Sequence, residues 1–243
     1  MSAIIHIKIT DSTNNYLKDL ITEQSIAEGT VVWADYQSAG KGQRGNSWES
    51  ENGENLLFSI VLYPETVKAE EQFILSQIVS LAVANCLNNY TKNITIKWPN
   101  DIYWKQKKIC GILLENTIIE DRIGQSVAGI GININQEEFK SNAPNPVSLK
   151  QITGKEYDLE GILNIVTDNI KKYYWQIGNG NAELIIEEYK EALFRKEGYH
   201  LYSDGKSEFL ARIKNIEPSG LLVLETKDNT IKRFAFKEVK YIL

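Results

Sequence analysis

The chain is short of the residues that carry several kinds of chemistry. Of its 243 residues only two are cysteines, Cys86 and Cys110, and neither belongs to a C-x-x-C or zinc-type spacing. A disulfide framework and a thiolate metal site are therefore excluded. Both thiols are expected to be packed rather than reactive, in a reducing compartment. Only two histidines are present, His6 and His200. Neither lies beside a plausible nucleophile, which weakens a Ser/His/Asp hydrolase reading. No apolar run approaches the roughly 20 residues of a membrane helix. The opening MSAIIHIKITDS lacks a basic segment, a long apolar core and a small-residue cleavage site. The net charge is −5, so there is no global basic field, and a nucleic-acid role would need a local patch. These absences predict a cytoplasmic protein with no membrane and no nucleic-acid partner.

Hydrophobic residues make up 42% and charged residues 24%, as in an ordinary soluble globular protein. The length suits one large domain, alone or with a small one. The chain is organised around IKWPNDIYWKQKKICGILLE, residues 96–115. A short apolar strand at 94–97 meets Pro99, which cannot donate to a sheet ladder, so the strand stops or bulges there. Asn100 and Asp101 are thereby placed at a strand end, where functional side chains are often presented. Gln106-Lys107 reads as a hairpin turn, and Lys108 enters the return strand at 109–114. Gly111 leaves room in that strand for a ligand or another backbone to approach. Geometry alone fits equally an ordinary hairpin with a solvated turn.

Upstream, residues 4–9 alternate as a half-buried strand. Asp11 and Ser12 offer capping oxygens to a helix whose apolar stripe is Tyr16, Leu17, Leu20 and Ile21, with Gly29 ending it. The run Asp11-Ser12-Thr13-Asn14 is a capping segment, and its hydroxyls and amide can also meet a polar, uncharged ligand. After a strand at 31–34 comes a polar loop, 35–55, longer than packing requires, as lids and binding loops are. It contains Gly40-Lys41-Gly42-Gln43-Arg44-Gly45, literally G-x-G-x-x-G. No apolar-periodic helix follows, so a dinucleotide site fails on context, and a Walker loop fails for want of Gly-Lys-Ser/Thr. What remains is a basic, flexible loop whose glycines allow close approach and whose Lys41 and Arg44 can meet phosphate.

A buried strand at 56–63 and the longest helix, from Ala69 to about Tyr90, precede the hairpin. After it, SVAGIGININ at 125–134 reads as a strand in which Gly129 and Gly131 mark close approach or a crossing point, ended by Asn133 and Asn135. Helices are predicted at 159–177 and 182–194, separated by Gly178-Asn179-Gly180-Asn181. From Gly198 short alternating runs with turns at Asp204-Gly205, Pro218-Ser219-Gly220 and Asp228-Asn229 predict a small all-β barrel. The exposed positions of this barrel read as lacking the interleaved aromatic and basic residues of a single-strand nucleic-acid platform.

KWPND, a lysine, and then GIL-E resemble the core motif of biotin–protein ligases, and the resemblance extends over nearly the whole chain. It implies an α+β fold: a mixed β-sheet catalytic domain flanked by helices (class II synthetase-like), residues 1–195, then an SH3-like β-barrel, residues 196–243. In that family D-S-T-N contacts the biotin ureido ring and the neighbouring chain, and the asparagine of G-x-G-I-N reads adenine. Carried over, biotin would be met by Ser12, Thr13, Asn14, Gln37, Lys41, Gly42, Lys108 and Gly111. ATP or the adenylate would be met by Gln43, Arg44, Trp48, Lys97, Asn100, Gly131 and Asn133. The family loop is G-R-G-R-x-G-R-x-W, and here Lys41, Gln43 and Asn46 replace its three arginines.

The resemblance implies biotin and ATP with Mg²⁺ as substrates, no tightly bound prosthetic group, and the biotin carboxyl carrier domain of a carboxylase as partner, the enzyme being a monomer or homodimer. Joining an acid to an amine in water requires an activated acid, here an acyl-adenylate. Its formation brings two anions together, so preorganised cations are the main requirement. Lys108 is the first choice for that role, with Lys97, Lys41 and Arg44 in support. Asn100 and Asp101 could orient Mg²⁺ carried on ATP. Asp101 is the candidate base for the carrier lysine. A lipoate–protein ligase, or another acyl-adenylate-forming protein ligase, is the alternative, disfavoured by D-S-T-N, Gln37 and the barrel. A DNA-binding repressor is expected to carry a helix-turn-helix before D-S-T-N, and only ten residues precede Asp11 in this sequence.

Overall fold

In the computed structural model of the chain, residues 3–43, 46–140 and 145–242 are described; Arg44 of the candidate set lies outside them. Strand β1 (Ile4–Thr10) leads into helix α1 (Thr13–Glu23), which returns the chain to β2 (Val31–Gln37), parallel to β1. Strand β3 (Leu56–Leu62) is buried at every position, which is why LLFSIVL reads as an unbroken apolar run rather than an alternating one. Helix α2 (Phe73–Asn88) follows, then β4 (Ile94–Lys97), β5 (Asp101–Trp104), β6 (Lys107–Ile119) and β7 (Arg122–Ile132). The seven strands form one mixed sheet in the order β1-β2-β3-β7-β6-β5-β4. One face packs on α2, α4 (Leu159–Gly178) and α5 (Ala182–Glu191), the other on α1 through Leu17, Val32, Val61 and Val127. Among the described residues no helix is long and apolar enough to cross a membrane.

A second, five-stranded antiparallel sheet follows, built from β8 (His200–Ser203), β9 (Glu208–Ile216), β10 (Leu222–Thr226), β11 (Ile231–Phe234) and β12 (Lys240–Tyr241). The α+β class and the C-terminal β unit thus stand as the sequence implies. We retain 1–195 and 196–243 as our proposed division. The two parts share a continuous apolar core that includes Tyr202, Leu222, Leu224 and Phe234. Trp98 Nε1 donates to the Gly220 carbonyl at 3.0 Å, and a Cβ on Gly220 would lie 2.8 Å from the Phe73 ring.

Several elements differ from expectation for local reasons. Strand β2 runs on to Gln37 because its parallel ladder with β1 continues through Thr10↔Gln37. The hairpin after Pro99 contains an extra strand, β5, so the turn is Lys105-Gln106 and Lys107 already lies in β6. Strand β7 starts at Arg122, earlier than expected, because Ile119↔Arg122 closes the β6–β7 ladder. A 3₁₀ turn at Ala69–Glu71 precedes α2. Helix α5 stops at Glu191 because the next residues join β4: Ile96 N–H donates to the Ala192 carbonyl and Phe194 N–H to the Ile96 carbonyl, both at 2.8 Å. A short helix α3 (Leu149–Thr153) is added, with a Ser148/Gln151 capping box. Helix α1 ends at Glu23 rather than at Gly29, and Ser12 occupies its N-cap position without a side-chain cap bond. Asp11 instead accepts from the Ser12 N–H at 2.7 Å and from Asn15 at 2.5 Å. The second sheet does pair cations with rings, Lys232 over Phe209 at 4.0 Å and Arg212 over Tyr199 at 5.7 Å, contrary to the sequence reading. Those cations also pair with acids, Arg212 and Lys214 with Glu225, and Lys232 with Asp204.

Candidate active site

A cavity of about 630 Å³ opens on the α1 side of the sheet, within the range of small-molecule sites. Its walls come from the start of α1, the loop after β2, the β4–β5–β6 hairpins and β7. One end presents hydroxyls and amides, with Lys41 bonded to Asn15 at 2.9 Å beside it, and the other is cationic.

The hydroxyl and amide end is a tight network backed by the Lys18–Glu115 ion pair. The Thr13 N–H and hydroxyl lie 2.7 and 3.1 Å from Gln37 Oε1, and the Ser59 hydroxyl lies 2.7 Å from Thr13 Oγ1 and 2.6 Å from Asn14 Oδ1. Asn14 Nδ2 donates to Glu115 at 2.7 Å, and Lys18 donates to the other Glu115 oxygen at 2.7 Å. Burial pushes the Glu115 carboxyl up, but the Lys18 and Asn14 hydrogen bonds outweigh it and hold it below the ordinary carboxylate range. Asn14 is thus fixed from both sides. A Cβ on Gly129 would collide with its amide oxygen, so this glycine exists to let Asn14 lie against the sheet.

The middle of the cavity is a slot in the sheet. Gly111 and Gly131 stand directly opposite each other across β6 and β7, leaving no side chains on that spot. Trp48 fills it: a Cβ on Gly111 would lie 2.7 Å from the indole Cζ3, and one on Gly131 would lie 2.5 Å from Cε2. The close approach anticipated at these glycines is therefore made by the chain's own indole. The loop carrying Trp48 folds back on itself, with Trp48 N–H donating to the Gly40 carbonyl at 2.9 Å and Gly42 N–H to Asn46 at 2.6 Å. The indole Nε1 is buried without a partner.

The cationic end holds Lys108, whose ammonium lies 2.7 Å from Asp101 Oδ1 across the β5–β6 hairpin. The segment 145–147 braces it, with Lys108 N–H donating to Asn145 at 2.8 Å and Val147 N–H to the Lys108 carbonyl at 3.0 Å. Lys97 donates to the Tyr103 hydroxyl at 3.1 Å, and burial is the main force lowering its pKa below that of an ordinary lysine. Asn133 at the end of β7 donates to the Val147 carbonyl at 3.2 Å, while its Oδ1 is buried and unpartnered.

Of the residues expected from sequence, Ser12, Thr13, Asn14, Gln37, Lys41, Gly42, Gln43, Trp48, Lys97, Asp101, Lys108, Gly111, Gly131 and Asn133 all border this one cavity. Asn100 does not. It is buried behind the wall, its amide donating to the Ile112 carbonyl at 2.9 Å, so it shapes the hairpin. Among the described residues no group of three or more His, Cys, Asp or Glu could hold a metal, and Asp101 is taken by Lys108. The donor set does not build a resident metal site. Sequence reasoning missed Ser59, Glu115, Tyr103 and Phe236. Glu115 had a visible signal, closing the GIL-E motif, whereas Ser59 and Phe236 are brought in only by tertiary structure.

Residues 6–133 match the biotin/lipoate A/B protein ligase family. The chain is 30% identical over 242 residues to the bifunctional ligase/repressor BirA of Bacillus subtilis, covering 96% of this chain and 72% of that protein. It is 28% identical over 223 residues to the biotin–[acetyl-CoA-carboxylase] ligase of Paracoccus denitrificans, covering 88% of this chain and 91% of the other. The structure superposes on the biotin protein ligase of Aquifex aeolicus in complex with biotin and ATP with a TM-score of 0.81, at 26% identity and covering 100% of both chains. The chain belongs to the biotin/lipoate A/B protein ligase family and is an ATP-dependent ligase of the biotin–protein ligase kind.

Proposed function

We propose that this ligase activates biotin with ATP to biotinyl-5′-AMP and transfers the biotinyl group to a lysine of a biotin carboxyl carrier domain, in the cytoplasm. The observation that carries this reading is the polarity of this cavity, an end of hydroxyls and amides joined to a cationic end across the Gly111/Gly131 slot. A ureido ring is neutral and offers both donors and acceptors, which suits Ser12, Thr13 and Asn14. A carboxylate and a phosphate are both anions, and Lys108 stands where they would meet.

In the first half-reaction the carboxylate oxygen attacks the α-phosphorus and pyrophosphate leaves. Lys108, held ready by Asp101, offsets the charge that spreads over the phosphate oxygens, and Lys97 and Lys41 add to the field. The unpartnered Asn133 Oδ1 suits the exocyclic amine of adenine. A metal would arrive on the nucleotide rather than occupy a site of the protein. In the second half-reaction the carrier amine, once deprotonated, attacks the acyl carbon and AMP leaves; Asp101 is the nearest candidate base, released when Lys108 turns to the adenylate. Incubating the protein with a carrier domain, ATP and either labelled biotin or labelled lipoate tests the reading. Label from biotin alone supports it, and label from lipoate alone would replace it with a lipoate ligase.

A further inference from the structure

We infer that Tyr241, on the last strand of the second sheet, is a positioning residue for Lys97, its ring and that of Tyr103 forming an aromatic clamp that holds the ammonium at the cavity wall as a cation for nucleotide phosphate. The inference rests on the ATP-dependent reading of the cavity given above.

Lys97 Nζ lies 5.0 Å from the Tyr103 ring centroid and 5.2 Å from that of Tyr241, besides its 3.1 Å bond to the Tyr103 hydroxyl. Among the described residues it makes no salt bridge, and Asp101, its direct cross-strand neighbour in the β4–β5 ladder, is engaged by Lys108. Lys97 is half-buried, its direct contacts are two rings and a hydroxyl, and an anion at the cavity wall would complete them. The Tyr241 hydroxyl has no partner, so the ring face alone makes the contact. The same ring also lies 6.0 Å from Arg195, whose guanidinium is tied to the Leu201 and Ile242 carbonyls. The π face of Tyr241 is thus shared by two cations that would otherwise repel each other. The strand that carries Lys97 is also hydrogen-bonded to residues 192–194, which lead into the second unit. Through this clamp, and through Phe236 at the cavity rim, the C-terminal unit becomes part of the nucleotide site.

The test measures ATP binding, and the KM values for ATP and biotin in adenylate formation, for wild type, Tyr241→Leu, Tyr241→Met and Tyr241→Phe. Loss of the ring is expected to raise the ATP constants roughly tenfold, between the effects of an exposed and a fully desolvated cation–π contact, with biotin binding without nucleotide unchanged. Tyr241→Phe keeps the ring and restores the ATP constants to within about twofold of wild type. In a Lys97→Gln background the Leu and Met exchanges add nothing further. Equal losses for ATP and biotin, a Phe variant as poor as Leu, or undiminished losses without Lys97 would each overturn the inference. If Tyr241→Leu fails to fold, Tyr241→Met carries the comparison. Biotin activation indifferent to Tyr241 would sink the clamp and keep the functional reading; Tyr241-dependent ATP binding without biotin activation would do the reverse.

Discussion

Gly131→Ala is expected to unseat Trp48 while leaving the sheet intact. The added Cβ would stand 2.5 Å from the indole Cε2, 2.6 Å from Nε1 and 3.0 Å from Cζ2, where ordinary contact begins at 3.4 Å. A retreat of about 1 Å is needed, and Gly111 on the facing strand closes the other side of the slot. A tryptophan buries about 150–250 Å², which at about 25 cal/mol per Å² contributes up to roughly 4–6 kcal/mol. Losing even a quarter of that contact costs about 1–1.5 kcal/mol, roughly a tenfold fall in the latched population of the loop. Strands β3, β6 and β7 keep their ladders, so the unfolding midpoint changes little by comparison. Hydrogen exchange reads the effect at the Trp48 and Gly42 amides, which are bonded to Gly40 and Asn46 in the folded loop. Gly129→Ala is the control, since its Cβ meets Asn14 and not Trp48, and it is expected to weaken biotin binding while sparing loop protection. Unchanged protection of those amides in Gly131→Ala would show that the indole does not lie in the slot.

Three further outcomes follow from the same geometry. Lys108→Ala should abolish measurable adenylate formation with the fold retained, because its pair with Asp101 is part-exposed at 28% and 30% and contributes little to the core; a folded variant with normal adenylation refutes the role. Gln43→Arg should retain biotinyl-adenylate several-fold longer, since a charge-assisted bond is worth about 1 kcal/mol more than a neutral one; unchanged release, both alone and with Arg44→Ala, means position 43 does not meet phosphate. Glu115 has a lowered carboxyl pKa in the fold, so its stabilising contribution is present above the ordinary carboxylate range and is lost as pH falls through its depressed value. Denaturant midpoints of Glu115→Gln should therefore fall less steeply on acidification than those of wild type, and parallel curves would contradict the assigned pairing.

Much of this architecture is legible in the sequence because its signals are local. The unbroken apolar run of β3 and the turn signals of the second sheet each report on neighbouring residues. The strand β5 is not legible: four residues after Pro99-Asn100 look like loop, yet pairing with both β4 and β6 holds them extended. Missing β5 also hides the Asp101–Lys108 pair, which only a second hairpin brings together. Helix α3 had a readable S-x-x-Q capping box at Ser148 and Gln151. For the site, Ser12 to Asn14 and Lys108 are nominated by the resemblance of D-S-T-N and KWPND to biotin–protein ligases, their residue types alone fitting a helix cap and a solvated turn equally well. That Gly111 and Gly131 accommodate Trp48, and that Asn100 turns its amide inward, depends on strand register and burial, which no spacing rule encodes.

The most direct test of the central claim is mass spectrometry of the purified protein after incubation with ATP, Mg²⁺ and biotin. The cavity as described predicts biotinyl-5′-AMP bound to the protein, formed with release of pyrophosphate and absent when lipoate replaces biotin. A protein that forms no biotinyl-adenylate, or that forms lipoyl-adenylate in its place, contradicts the account.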